Sequence, residues 1–183
     1  MSELKDLLQN INQLSSREKL EVVTAIKEAL VRAAYTIVEL NEDKPWGAYA
    51  RIDGQQAEPF IEEFFPGLTL DEARLGNPDA ELSPKILVVS PGQQLSWQYH
   101  DRRAERWVYL TPGRYYKSLS NEPGEPFTAG PGDVVQFEKG ERHRLAATND
   151  TDYTVVAEIW QHSDKDHLSD EDDIVRLADD YQR

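Results

Sequence analysis

The sequence predicts a mainly β protein, a sandwich or barrel of short strands with helices at its front end. Three observations carry that prediction. Short β-rich runs recur at close intervals from Lys85 onward, Gly- and Pro-containing turns separate them, and the first 35 or so residues space their apolar side chains as a helix does. Residues 2–35 read as helical, with Leu20, Val23, Ile26, Leu30 and Ala34 on one stripe. Ser15-x-x-Glu18 forms a capping box that predicts a second helix starting near Ser16. A short apolar run follows at Ile37–Leu40, and Asp43-Lys44-Pro45-Trp46-Gly47 closes this section because Pro and Gly punctuate both element types. Residues 53–82 have no clean period and are expected to form an excursion or lid over the β-rich part. The predicted strands are Lys85–Ser90, Leu95–His100, Arg106–Leu110, Asp133–Phe137, His143–Ala147 and Tyr153–Gln161. Turn signals stand between them at Pro91-Gly92, Pro112-Gly113, Glu122-Pro123-Gly124, Gly130-Pro131-Gly132 and Lys139-Gly140. In the tail, the acidic run Asp170-Glu171-Asp172-Asp173 before Ile174-Val175-Arg176 suits the positive end of a helix dipole, so a short C-terminal helix is expected. The expected units are a helical extension over 1–36, a barrel over 37–163 carrying the excursion at 53–82, and a tail over 164–183.

Composition narrows the function classes. With 183 residues, 39% hydrophobic and 30% charged, the chain has the profile of one globular domain. No apolar run approaches the roughly 20 residues of a membrane span, and MSELKDLLQN lacks the apolar core of a secretory signal, so a cytoplasmic protein without a membrane partner is expected. The net charge of −14 repels phosphate backbones and excludes a nucleic-acid partner. With no cysteine, a metal would meet only nitrogen and oxygen donors.

One constellation fits such a metal. Alternation along a strand puts Gln98 and His100 on one face, with Trp97 and Tyr99 on the other. Beyond the Asp101–Ala104 turn, Glu105 shares a face with Trp107 and Tyr109, and His143 follows a further turn at 139–142. An amide, two imidazoles and a carboxylate suit zinc or another borderline divalent ion and leave positions open for substrate or water.

The pattern Gly92-x5-Gln98-x-His100-x4-Glu105, followed by Gly132-x7-Gly140-x2-His143, resembles the two cupin motifs. Gln in place of the usual first His looks like the ligand set of mannose-6-phosphate isomerases. The chain further resembles the cupin domain of the bifunctional mannose-1-phosphate guanylyltransferase/mannose-6-phosphate isomerase family. Lys44-Pro45-Trp46-Gly47 matches its opening motif, Leu95–His100 with Arg103–Trp107 its metal-binding hairpin, and His143-Arg144-Leu145 with Asn149 its second motif. Glu171–Arg176 and Asp180-Tyr181-x-Arg183 match its C-terminal signature. The resemblance covers roughly residues 44–52 and 84–183. It implies a double-stranded β-helix, the jelly-roll barrel, with the N-terminal helices appended in a stand-alone form where nucleotidyl transfer is not expected. The departures are His100-Asp101-Arg102-Arg103 in the hairpin, Glu138 for a Pro in the second motif, and the excursion at 53–82.

The resemblance implies an aldose–ketose isomerase that moves a proton between C1 and C2 of a sugar or sugar phosphate through an enediolate. One divalent ion held by Gln98, His100, Glu105 and His143 is the expected cofactor, zinc first, with manganese, iron, nickel and cobalt as alternatives. Lys85 and Arg103 match family positions suited to proton transfer and charge stabilisation. A phosphate would be met by Lys44, Arg176 and Arg183 if the tail folds over the barrel mouth. Trp46, Trp107 and Trp160 are expected in the core, and His162 and His167 at the surface. A homodimer is expected by analogy. The competing functions are a metal cupin of other chemistry, such as an oxygenase, and a non-catalytic sugar-binding cupin.

Overall fold

A computed structural model describes residues 3–14, 17–164 and 166–182. Two antiparallel sheets face each other. The strands are β1 (Ile37–Asn41), β2 (Gly47–Ile52), β3 (Leu82–Val89), β4 (Trp97–Tyr99), β5 (Arg103–Tyr109), β6 (Gly113–Ser118), β7 (Phe127–Ala129), β8 (Val134–Phe137), β9 (Arg142–Ala147), β10 (Thr154–His162) and β11 (Val175–Ala178). One sheet runs β1-β2-β3-β10-β5-β8 and the other β11-β4-β9-β6-β7. This is the expected jelly roll, and all six predicted strands are present.

The central strands β3 and β10 of the six-stranded sheet are buried on both faces, which explains why they read as largely apolar runs. Strand alternation divides their side chains. Ile86, Val88, Ala157 and Ile159 point outward, into a cluster with the helices, while Leu87, Val89 and Val156 point inward, into a cluster with Trp107, Tyr109, Phe137 and Leu145. Lys85, Glu105, Glu158 and Trp160 share the inward parity, so the chain's chemistry collects between the sheets.

The outer cluster is filled by α1 (Glu3–Gln9), α2 (Lys19–Arg32) and α3 (Ala57–Phe64). The stripe on α2 is Val22, Val23, Ile26, Ala29 and Leu30; Leu20 is 66% exposed and Ala34 lies beyond the helix with φ +64°. The expected capping box rests on Ser15, outside the described residues, and Glu18 at the N-cap of α2 makes no side-chain cap bond. The excursion is no lid. Its helix α3 buries Phe60, Ile61 and Phe64 against the outer face of the sheet, and the short α4 (Leu70–Ala73) starts on a Thr69/Glu72 capping box. Its Glu, Pro and Gly residues sit on the exposed side and in the turns and mask this amphipathic period.

The tail departs from expectation too. Among the described residues no helix follows the acidic run; Val175–Ala178 pairs with β4 as an edge strand, matching Val175 to Tyr99 and Arg176 to Gln98. Glu171 and Asp173 are drawn into contacts with Lys85 and the Asp101–Arg102 turn instead of capping a helix. Gly47 is dictated by packing, since a Cβ there would lie 1.9 Å from the Val88 carbonyl oxygen. Among the described residues, no helix is long and apolar enough to cross a membrane.

Candidate metal centre and cleft

Gln98 and His100 come from β4 and the residue after it, Glu105 from β5 and His143 from β9, so the donors bridge the two sheets. The expected parity holds. Trp97 turns away and donates its indole N–H to the Asn121 carbonyl at 2.6 Å, and Tyr99 lies under Arg142. Donor atoms of His100, Glu105 and His143 all fall within 4.8 Å of one another, and all three residues are buried. Gln98 is the cross-strand partner of His143, and its amide lies 3.4 Å from His100 Nε2. Its other end meets the Ser96 hydroxyl at 2.5 Å, and a half-turn of the amide exchanges the two ends, presenting oxygen to the imidazole.

The imidazole orientations test whether a metal fits. His143 Nδ1 lies 3.0 Å from the Glu141 carbonyl and His100 Nδ1 lies 2.5 Å from the Asp173 carbonyl, so each Nδ1 carries the proton and each Nε2 presents a lone pair. Those lone pairs face the Glu105 carboxylate, with His100 Nε2 3.1 Å from Oε1 and His143 Nε2 3.2 Å from Oε2. Buried His143 Nε2 makes no hydrogen bond. Acceptors that converge without protons between them call for a cation, so the donor set fits a divalent ion. Arg103 is the group such an ion would displace in part, because its Nη2 lies 3.1 Å from His100 Nε2.

The charges are consistent with that role. Burial alone would raise the Glu105 pKa, but the groups ringing it, His100, the cationic Arg103 and His143, hold it well below the usual carboxylate range. Burial pushes the His100 imidazole down, toward the neutral form a ligand needs.

Beside the donors lies a cleft of about 70 Å³ lined by Lys44, Trp46, Lys85, Glu158, Trp160 and Glu171, with Gln98 and Glu105 in its wall. Lys85 is 2% exposed, stacks over Trp160 at 3.2 Å and meets Glu171 at 2.5 Å. Desolvation lowers its pKa against the pull of Glu158 and Glu171. Glu158 is the cross-strand partner of Lys85, accepts the Trp107 indole N–H at 2.9 Å, and is pushed up to about 8 by burial and by the charge of Glu105. Arg103 also faces the cleft; it donates to Glu105 at 2.8 Å and Ser169 at 2.7 Å and lies over Trp160 at 3.5 Å.

The structure thus brings Gln98, His100, Glu105 and His143 together, and places Lys44, Lys85, Arg103 and Arg176 around the adjoining cleft. Arg183 lies outside the described residues. The three tryptophans are buried as expected, although Trp46 and Trp160 also wall the cleft. His167 is exposed, but His162 is not a surface residue: it is 4% exposed, held between the Ser83 hydroxyl and the Ser169 backbone N–H. Sequence reasoning missed Glu158, Glu171 and Asp173. Glu158 left a signal, as the one charged residue in Thr154–Gln161 and at the same parity as Trp160.

Residues 85–160 match the family model described as Cupin domain. The matched cupin stretch runs from β3 to β10 and contains all four donors. Among solved structures, an oxalate decarboxylase from Bacillus subtilis is 16% identical, with TM-score 0.47, over 79% of this chain and 30% of that one. A Cupin 2 conserved barrel domain protein from Salinispora arenicola CNS-205 is 17% identical, with TM-score 0.44, over 68% of this chain and 82% of that one. The chain therefore spans only 30% of the oxalate decarboxylase it matches. No curated protein matches the chain in sequence.

Proposed function

We propose that this cupin is a metal-dependent aldose–ketose isomerase acting on a sugar or sugar phosphate. The observation that carries the reading is a buried lysine and a buried carboxylic acid facing one cleft together with an amide, imidazole and carboxylate donor set. The motifs resembling mannose-6-phosphate isomerases support it. Gln98, His100, Glu105 and His143 would hold one divalent ion, zinc first. When bound, the ion supplies Lewis-acid stabilisation of negative charge developing on the sugar oxygens.

The chain's own residues divide the proton movements. Lys85, its pKa lowered by burial, takes the C2 proton of the aldose as the electron pair moves into a C1=C2 double bond, and returns it at C1. Glu158, kept mostly in its acid form at neutral pH by a pKa of about 8, gives its proton to O1 and takes one from O2. Arg103, engaged by Glu105 and Ser169, keeps Glu105 ionised. Lys44 and Arg176 at the cleft take the phosphate of a phosphorylated sugar. A cleft of 70 Å³ is far below the roughly 300 Å³ of the smaller ligand sites, so entry of a sugar requires Glu171 to leave Lys85.

The test is proton NMR of metal-loaded protein in heavy water with mannose, glucose, fructose and heptulose phosphates and their unphosphorylated parents. Loss of a C1 or C2 proton signal, or appearance of the partner sugar, is the expected result. No exchange with any of these sugars at high protein concentration overturns the isomerase reading.

A further inference from the structure

The segment after β10 grips the metal-binding hairpin at several points, most of its side-chain contacts running through residues 168–173. The Asp173 carboxylate accepts the backbone N–H of Asp101 at 3.0 Å, that of Arg102 at 3.1 Å and the Ser169 hydroxyl at 2.5 Å. The Asp173 carbonyl is the acceptor for His100 Nδ1 at 2.5 Å. Arg102 answers from the hairpin, donating to the Leu168 carbonyl at 2.7 Å and to Asp170 at 2.9 Å. Asp173 is itself 6% exposed, so its charge is neutralised by these donors and not by water. The carboxylate thus fixes the turn that carries His100, while the carbonyl of the same residue sets the tautomer and ring plane of that imidazole.

We infer that Asp173 is a positioning residue for the proposed metal centre, and that docking of residues 168–176 onto the hairpin is reciprocally linked to metal binding through the Asp173–His100 contact. This rests on the metal-binding part of the function proposed above. The physical basis is linkage. A divalent ion on His100 Nε2 strengthens the donor at Nδ1 and so the bond to the Asp173 carbonyl, and by reciprocity a docked segment raises the affinity of the ion. The same segment carries Glu171, which meets Lys85, so the device also ties the state of the metal centre to the closure of the cleft.

The experiment measures zinc affinity by chelator competition in the whole protein, for wild type, Asp173→Asn and Ser169→Ala, with exposed Asp172→Asn as control. It adds backbone hydrogen exchange of the wild type with and without zinc. Asp173→Asn is expected to weaken zinc about 10- to 100-fold, the usual loss when a partner orienting a ligand is removed. Ser169→Ala should weaken it less, and Asp172→Asn should leave it unchanged. Zinc should also slow exchange at Asp101, Arg102 and residues 173–178 of the wild type, a readout that does not depend on any variant folding. Wild-type affinity in Asp173→Asn, or exchange in 173–178 that zinc does not slow, overturns the inference while leaving the metal site standing. Failure of the wild type to bind zinc or any other divalent ion overturns both.

Discussion

His162 gives the prediction that reports most directly on the closed segment without involving the metal. The Ser169 backbone N–H donates to its Nδ1 at 3.0 Å, so Nδ1 is unprotonated and Nε2 carries the proton toward the Ser83 hydroxyl, also at 3.0 Å. Protonation would put a hydrogen on Nδ1 against the Ser169 N–H. Burial and the charges of Arg103, Lys85 and Arg102, opposed by Asp173, lower the folded-state pKa from 6.5 to about 4. The sign follows. Between those values the unfolded chain binds the proton and the folded chain does not, so the contribution is complete above pH 6.5 and is lost as pH falls toward 4. With one pKa unit equivalent to 1.36 kcal/mol, the loss between pH 7 and pH 5 is about 2 kcal/mol. Urea unfolding of chelator-treated wild type and His162→Gln at pH 7, 6 and 5 isolates this contribution from the carboxylates that titrate in both proteins. Wild type should lose about 2 kcal/mol more than the variant over that range. Stability curves that fall in parallel would refute the argument that a neutral His162 holds Ser169 and the segment after it.

Three further outcomes are expected. His143→Ala should remain folded by circular dichroism yet lose bound metal by elemental analysis, and full metal occupancy in that variant would remove the proposed centre. Lys85→Met should keep its metal and lose sugar proton exchange by about 10²-fold or more, the usual range for a positioned acid–base group; near-wild-type exchange would exclude Lys85 from proton transfer. Phe60→Ala should cost about 3–5 kcal/mol in chemical denaturation, because Phe60 is fully buried beneath α3; a loss under 1 kcal/mol would mean that the excursion is not part of the core.

Much of the candidate centre was legible before folding was considered, and for a definite reason. The alternation of side chains along an extended chain is set by covalent geometry, so Gln98 and His100 had to share a face, as did Glu105, Trp107 and Tyr109, whatever the strands paired with. Turn signals are equally local. Gly92, Gly132 and Gly140 all take positive φ, as the Pro-Gly and Lys-Gly pairs implied. The helical period of α2 and the strand grammar from Lys85 onward were visible for the same reason, and together they fix a mainly β domain with helices in front.

What only the tertiary structure decided concerns who covers whom. That the outer face of the six-stranded sheet is roofed by α1, α2 and α3 makes the excursion core instead of lid, and no local pattern in residues 53–82 states what lies beneath it. The acidic run at 170–173 has the composition of a helix start, yet Lys85, Arg102 and Arg103, some 70 to 85 positions earlier, offer its carboxylates partners stronger than a helix dipole. Glu158 stands out in its β-rich run only as a lone charge, and His162 does not stand out at all. Their burial, and with it their shifted protonation, depends on the inward parity of β10 being closed over by the opposite sheet and by the tail. Periodicity reports the geometry of a chain with itself, whereas desolvation and charge pairing are set by residues far apart in sequence, and those made this cleft chemically distinct.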